Sequence, residues 1–153
     1  MQVASAQQYT ETNQLVISEN AAQTERRTSQ SSALYETARN SYLNNDFGEA
    51  ITLFEQYIRE FPQGAEVCLS NYSLGEMYYV LGDFQKAVDY FHAVVRIRQN
   101  NVPEALFFLG RSYESLNNYE RALENFRMLT RDYPNHQLSR TASEHIRELR
   151  DHN

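Results

Sequence analysis

LGEMYYVLGDFQKAVDYF, residues 74–91, decides the fold, because the chain repeats it as LGRSYESLNNYERALENF at residues 109–126. Leu74-Gly75, Tyr78, Gly82-Asp83-Phe84, Ala87 and Phe91 return as Leu109-Gly110, Tyr113, Asn117-Asn118-Tyr119, Ala122 and Phe126, each thirty-five residues on. A fainter copy lies upstream in Ala38, Tyr42, Asn45-Asp46-Phe47, Ala50 and Phe54, thirty-seven residues before the second. A fixed period of this size means stacked supersecondary units that bury a continuous core between neighbours. Arrays of that kind present a long curved surface, whose default use is to hold another molecule.

Each unit divides in two. The breaks are Asn44-Asn45-Asp46, Gly82-Asp83 and Asn117-Asn118, with Asp46, Asp83 and Asn118 placed as N-caps of a second helix. Asp46 and Glu49 have the spacing of a capping box. Arg59-Glu60-Phe61-Pro62 and Arg131-Asp132-Tyr133-Pro134 close a unit, since proline lacks the amide donor and crowds the preceding turn. Pro103 follows Asn100-Asn101-Val102 and suits the first turn of the next helix. The pattern predicts helices over 33–44, 47–61, 66–81, 84–98, 103–116, 119–132 and 138–150. The last has an apolar stripe of Leu138, Ala142, Ile146 and Leu149 opposite Arg140, Glu144, Arg147, Glu148 and Arg150, as a terminal cap requires.

The recurring small residues, Ala38/Gly75/Gly110 and Ala50/Ala87/Ala122, mark close helix approaches. The recurring large ones, Phe47/Phe84/Tyr119, Ile51/Val88/Leu123 and Phe54/Phe91/Phe126, lie on the buried stripe of the second helix and are read as core.

Leu-Gly, then Tyr, Ala, Phe and a closing Pro resembles the tetratricopeptide repeat (TPR) over residues 33 to 134. Asn71 and Leu106 replace the usual Trp, Gln99 replaces the second closing Pro, and the first copy has Thr37-Ala38 for Leu-Gly and Ser41 for Tyr. The resemblance implies an all-α, right-handed superhelical array of three helix pairs plus a capping helix. The repeats would span about 33–65, 66–102 and 103–137, with the cap at 138–150. More narrowly, Ile58-Arg59-Glu60-Phe61-Pro62-Gln63-Gly64 and Arg131-Asp132-Tyr133-Pro134-Asn135-His136 look like bacterial envelope TPR proteins. The C-terminal domain of the Tol–Pal-associated cell division coordinator is the nearest in style, followed by outer-membrane assembly lipoproteins. That resemblance implies a periplasmic scaffold for envelope partners.

Residues 1–32 are rich in Gln, Ser, Thr and Asn, with Tyr9 the one aromatic and Leu15-Val16-Ile17 the one apolar island. Such a composition buries too little apolar area to offset ordering entropy, so it reads as a disordered polar tail or linker. Val3-Ala4-Ser5-Ala6 before Gln7 looks like the end of a cleaved export signal, without an apolar region ahead of it.

In a TPR array the first helix of each repeat lines the concave face. Helical spacing places three ladders there: Tyr35, Tyr72, Phe107; Arg39, Glu76, Arg111; and Tyr42, Tyr79, Glu114. Two readings stand. In one, the tyrosines cover neighbouring helices and the arginines pair with Glu76 across the groove. In the other, aromatics and arginines hold a partner peptide or helix. The carboxylate clamp of chaperone-binding TPRs is a poor match, because Arg39 stands where the clamp has Asn and its lysines are absent.

The net charge of −6 gives no electrostatic support to nucleic-acid binding. The basic residues are Arg except Lys86, and the single Cys68 leaves no internal disulfide. No cofactor, metal or catalytic residue is expected: His92, His136, His145 and His152 are scattered, and no His-Glu-x-x-His, phosphate loop or Cys-x-x-Cys occurs. His145 and Glu148 read as a solvated pair. The function expected is a protein-interaction scaffold, not an enzyme, in the periplasm. The alternatives are a cytoplasmic secretion chaperone and a self-associating structural module.

Overall fold

The computed structural model describes residues 3–151. Seven helices follow in order: α1 Val3–Leu43, α2 Phe47–Glu60, α3 Val67–Val80, α4 Phe84–Ile97, α5 Val102–Ser115, α6 Tyr119–Asp132 and α7 Gln137–Asp151. Apart from the start of α1, each end lies within one residue of the pattern's expectation. The helices form a right-handed superhelical array in which each packs mainly on its neighbours in sequence. α3 also touches α5, and α5 touches α7. The first helices of successive units therefore share one layer, and α2, α4 and α6 form the other.

The repeat is held by the same local chemistry each time. Asn45, Gly82 and Asn117 take positive φ angles of 61°, 81° and 57°, which asparagine and glycine tolerate best. The turn lets the next amide bond back to the preceding helix: Asp46 N–H to Ser41 O at 2.9 Å, Asp83 N–H to Tyr78 O at 2.9 Å, Asn118 N–H to Tyr113 O at 2.8 Å. The same three side chains then accept from Glu49 N–H (3.3 Å), Lys86 N–H (3.2 Å) and Arg121 N–H (3.2 Å). Each such cap stabilises its helix by about 1 kcal/mol. The expected capping box is only half made, because the Glu49 carboxylate accepts from the Ser41 hydroxyl at 2.8 Å instead of reaching back to Asp46.

The core follows the repeated positions. Ala38, Ala50, Ala87 and Ala122 are fully buried, as are Phe54, Phe91 and Phe126 within 1 %. A Cβ on Gly75 would lie 2.7 Å from the Phe91 ring, and one on Gly110 would lie 2.4 Å from the Phe126 ring. The Leu-Gly pair exists because a phenylalanine of the paired helix occupies the space a side chain would take. Cys68 is buried, as expected, with its sulfur 3.5 Å from Asn100 O.

Two expectations are corrected. Tyr119, read as core with Phe47 and Phe84, is 41 % exposed, and its hydroxyl donates to Asn117 Oδ1 at 3.0 Å. Phe47 and Phe84 pack on Tyr42 and Tyr79, whereas the equivalent residue five before Tyr119 is Glu114, which offers no ring. Residues 3–32, read as an irregular tail, are helical and continuous with the docked part of α1. Side chains from 7 to 30 are exposed, so burial does not hold this stretch. It lacks Gly and Pro and extends an existing helix, so it needs no new nucleus. Arg27 meets the array: its guanidinium lies 3.4 Å from Glu60 O and over the Phe61 ring at 6.0 Å.

Candidate functional site

The nine residues of the three ladders lie on α1, α3 and α5, and they form two clusters with two outliers. The first cluster is central. The Tyr42 hydroxyl donates to Glu76 Oε2 at 3.2 Å, and the Tyr72 hydroxyl faces the same carboxylate. Tyr79 sets its ring edge-on to Phe84 at 5.5 Å and to Phe108 at 5.2 Å. Tyr42 stacks on Phe47 at 6.1 Å. Tyr72 meets the buried Phe91 edge-on at 5.9 Å. Each ring is partly exposed on one side and anchored on a second-helix phenylalanine on the other.

The second cluster lies toward the C-terminal end. Phe107 packs on Phe126 at 5.9 Å and on the His145 ring at 6.0 Å. Arg111 Nε lies 3.3 Å from Glu114 Oε2, and its Nη1 lies 3.2 Å from His145 Nε2. His145 Nδ1 lies 3.1 Å from Glu114 Oε1. The imidazole stacks on Phe126 at 5.0 Å and 13°. His145 is therefore not a solvated partner of Glu148. The capping helix turns it inward and completes an Arg–Glu–His triangle. Only the register of α7 against α5 reveals this, and a pattern confined to α7 carries no signal for it.

The outliers are Tyr35 and Arg39. Tyr35 meets Phe54 and Tyr57, each edge-on at 5.9 Å. Arg39 pairs with Glu36 on its own helix at 3.5 Å, with both side chains more than half exposed. Neither arginine reaches Glu76, so the expected cross-groove pair does not form. Among the described residues no cation lies within ion-pair distance of that carboxylate.

The electrostatics follow from that arrangement. Burial raises the Glu76 pKa and the neighbouring Glu104 charge adds to the rise, while the hydrogen bonds from Tyr72 and Tyr42 oppose it. Burial, then the Glu76 charge, pushes the Tyr72 and Tyr42 phenols upward, so both stay protonated donors. Tyr35 is also raised, chiefly by burial. Glu104 itself lies 3.3 Å from His136 Nε2.

Sequence reasoning missed Phe47, Phe108 and His145 as members of this face. Phe108 precedes the Leu-Gly pair and lies flat on Phe91 at 5.2 Å and 6°, bridging two repeats. Among the described residues no group of three or more His, Cys, Asp or Glu is placed to hold a metal ion. No helix among them is long and apolar enough to cross a membrane.

Comparison with known proteins agrees with this architecture. A family model described as YfiO, outer membrane lipoprotein, matches residues 27–152. Its first matched residue is the arginine at which α1 meets the array. Three solved structures share the fold. The Arabidopsis OM64 TPR domain has 20 % identity and a TM-score of 0.67, covering 83 % of this chain and 99 % of its own. The N-terminal domain of stress-induced protein-1 (STI-1) from C. elegans has 17 % identity and a TM-score of 0.65, covering 78 % and 96 %. The C-terminal TPR-containing domain of a Plasmodium falciparum FK506-binding protein, PFL2275c, has 22 % identity and a TM-score of 0.67, covering 83 % and 93 %. No match is found among curated proteins.

Proposed function

The chain belongs to the YfiO family of outer membrane lipoproteins, and from that membership we propose that it is an interaction scaffold of the bacterial cell envelope. Its α1–α3–α5 face takes a segment of a partner protein, as a peptide or a helix, on the periplasmic side. A role alongside the Tol–Pal machinery of cell division is the finer form of this reading, suggested by the Arg-Glu-Phe-Pro and Arg-Asp-Tyr-Pro phrases. The action is binding and not catalysis.

One observation carries the reading. Tyr35, Tyr42, Tyr72, Tyr79 and Phe107 are partly exposed rings on the first helices, each braced from behind by an aromatic of a second helix. Rings held this way offer large rigid contact area with little ordering entropy left to lose. The test is a photo-crosslinking pull-down from envelope and cytoplasmic fractions, with the Tyr42→Ala/Tyr79→Ala variant as control after a circular-dichroism melt confirms its fold. A partner captured from the envelope and lost with the variant supports the proposal. A client captured only from cytoplasm favours a secretion chaperone instead. Equal capture by the variant moves the binding surface off this face.

A second reading has its own observation. Tyr9, Leu15, Val16 and Ile17 are 49 % to 75 % exposed on the part of α1 that has no neighbour, which favours self-association through that helix. Light scattering that stays monomeric at high concentration rejects it.

A further inference from the structure

The central cluster defines the chemistry of its occupant, on the reading that this face is the binding groove. Tyr42, Phe47, Glu76, Tyr79, Val80 and Phe108 line a cleft of about 110 Å³ between α1, α3 and α5. That is room for one side-chain head group, not for a whole small-molecule ligand. Its lining is mostly aromatic, with Glu76 its one charged residue. We propose that this cleft is a subsite for the basic side chain of a partner segment, an arginine or lysine whose cation pairs with Glu76 between the rings of Tyr42, Tyr79 and Phe108.

Charge complementarity selects that occupant. Of the three carboxylates on or beside the arginine-bearing ladder, Glu36 has Arg39 and Glu114 has Arg111. Glu76 is the exception, with neutral phenol donors only. A half-buried carboxylate is held best by a charge-assisted pair, so the free site is cation-shaped. The surrounding rings add attraction for the same charge through their electron-rich faces. Arg39 and Arg111 lie against Glu36 and Glu114, so an acidic occupant would compete with those carboxylates for its cation. Val80, 70 % exposed at the rim, supplies an apolar step for the residue next to the cation.

The experiment is a random peptide phage library panned on the full chain and on Glu76→Gln, with Glu76→Asp as a charge-keeping control. The melts of the variants are compared first. Each selected peptide is then synthesised with its basic residue as arginine or as citrulline and measured by fluorescence anisotropy. The wild-type chain is expected to enrich a Lys or Arg at one fixed distance from an apolar residue. Exchange of arginine for citrulline should weaken binding about tenfold on wild type and less than twofold on Glu76→Gln. Enrichment of acidic residues, or equal citrulline losses on both proteins, overturns the subsite while leaving the groove standing. The citrulline comparison on wild type decides the matter even if Glu76→Gln folds poorly: no loss there refutes the subsite. A library whose selected peptides bind Tyr42→Ala/Tyr79→Ala as tightly as wild type, or one that yields no binder, overturns the groove as well.

Discussion

Gly110→Ala adds one methyl group at the tightest helix contact in the array. The new Cβ would lie 2.4 Å from Phe126 Cε1 and 2.5 Å from Cζ, about 1 Å inside ordinary carbon–carbon contact. Phe126 cannot retreat, because it is fully buried, with His145 stacked on one side and Phe107 packed beside it. Overpacking of this kind costs up to about 3 kcal/mol. Replacing glycine by alanine inside a helix returns about 1 kcal/mol of propensity. The expected net loss is about 2 kcal/mol, or a fall in Tm of roughly 4–8 °C at this chain length. Gly48→Ala is the control: its nearest neighbour would be Asp46 Oδ1 at 3.9 Å, so only the propensity gain remains and stability should rise by about 0.5–1 kcal/mol. Urea unfolding followed by circular dichroism measures both. Phe126→Leu on the Gly110→Ala background should recover part of the loss, giving a coupling of about 1 kcal/mol in the double-mutant cycle. If Gly110→Ala behaves like Gly48→Ala, or if Phe126→Leu is no better tolerated on the alanine background, the packing account of the Leu-Gly pair is wrong. The same substitution bears on the proposed function, because Phe126 packs on Phe107 and His145 of the proposed binding face.

Glu76→Gln should raise the stability of the free chain near neutral pH. The folded pKa of Glu76 lies above its unfolded value, so the wild type loses stability as pH rises through the folded pKa, and the advantage of the variant should fade as pH falls back toward about 4.5; melts across that range check it. Asp83→Ala removes the acceptor for Lys86 N–H and should cost about 1 kcal/mol in urea unfolding. Deleting residues 1–23 should leave the melting temperature within about 2 °C, because the described side chains from 7 to 23 are exposed; a larger fall would show that the first half of α1 stabilises the array. His145→Ala should cost about 1–3 kcal/mol by removing the Phe126 stack and one partner each of Arg111 and Glu114, with a thermal melt as the readout.

The repeat was legible because it is local. Period, caps and small-large alternation depend on residues within a helix or across one turn, and those forces act alike in every copy. Asp46, Asp83 and Asn118 cap as their side chains dictate. Gly75 and Gly110 lie against Phe91 and Phe126 because a thirty-five-residue echo implies the same contact twice. Spacing alone also puts the nine ladder residues on α1, α3 and α5.

Partners within that face were not legible. Arg39, Glu76 and Arg111 are equivalent ladder positions, yet each ends with a different kind of partner: Glu36, two tyrosine hydroxyls, and a Glu–His pair. Long side chains choose among several acceptors by distances of an ångström or two, which follow from helix register and not from residue type. The inward turn of His145 belongs to the same class, since it depends on how α7 seats against α5. The helical state of residues 3–32 escaped for a different reason: composition tests whether a segment can bury itself, and this one extends a helix whose nucleus lies elsewhere. Sequence alone thus determined the array, its turns and its core, because short-range sterics and apolar burial fix them. Only the tertiary structure decided that Glu76 meets a tyrosine hydroxyl and that His145 turns inward to Arg111, because both are settled by the packing of helices more than thirty residues apart.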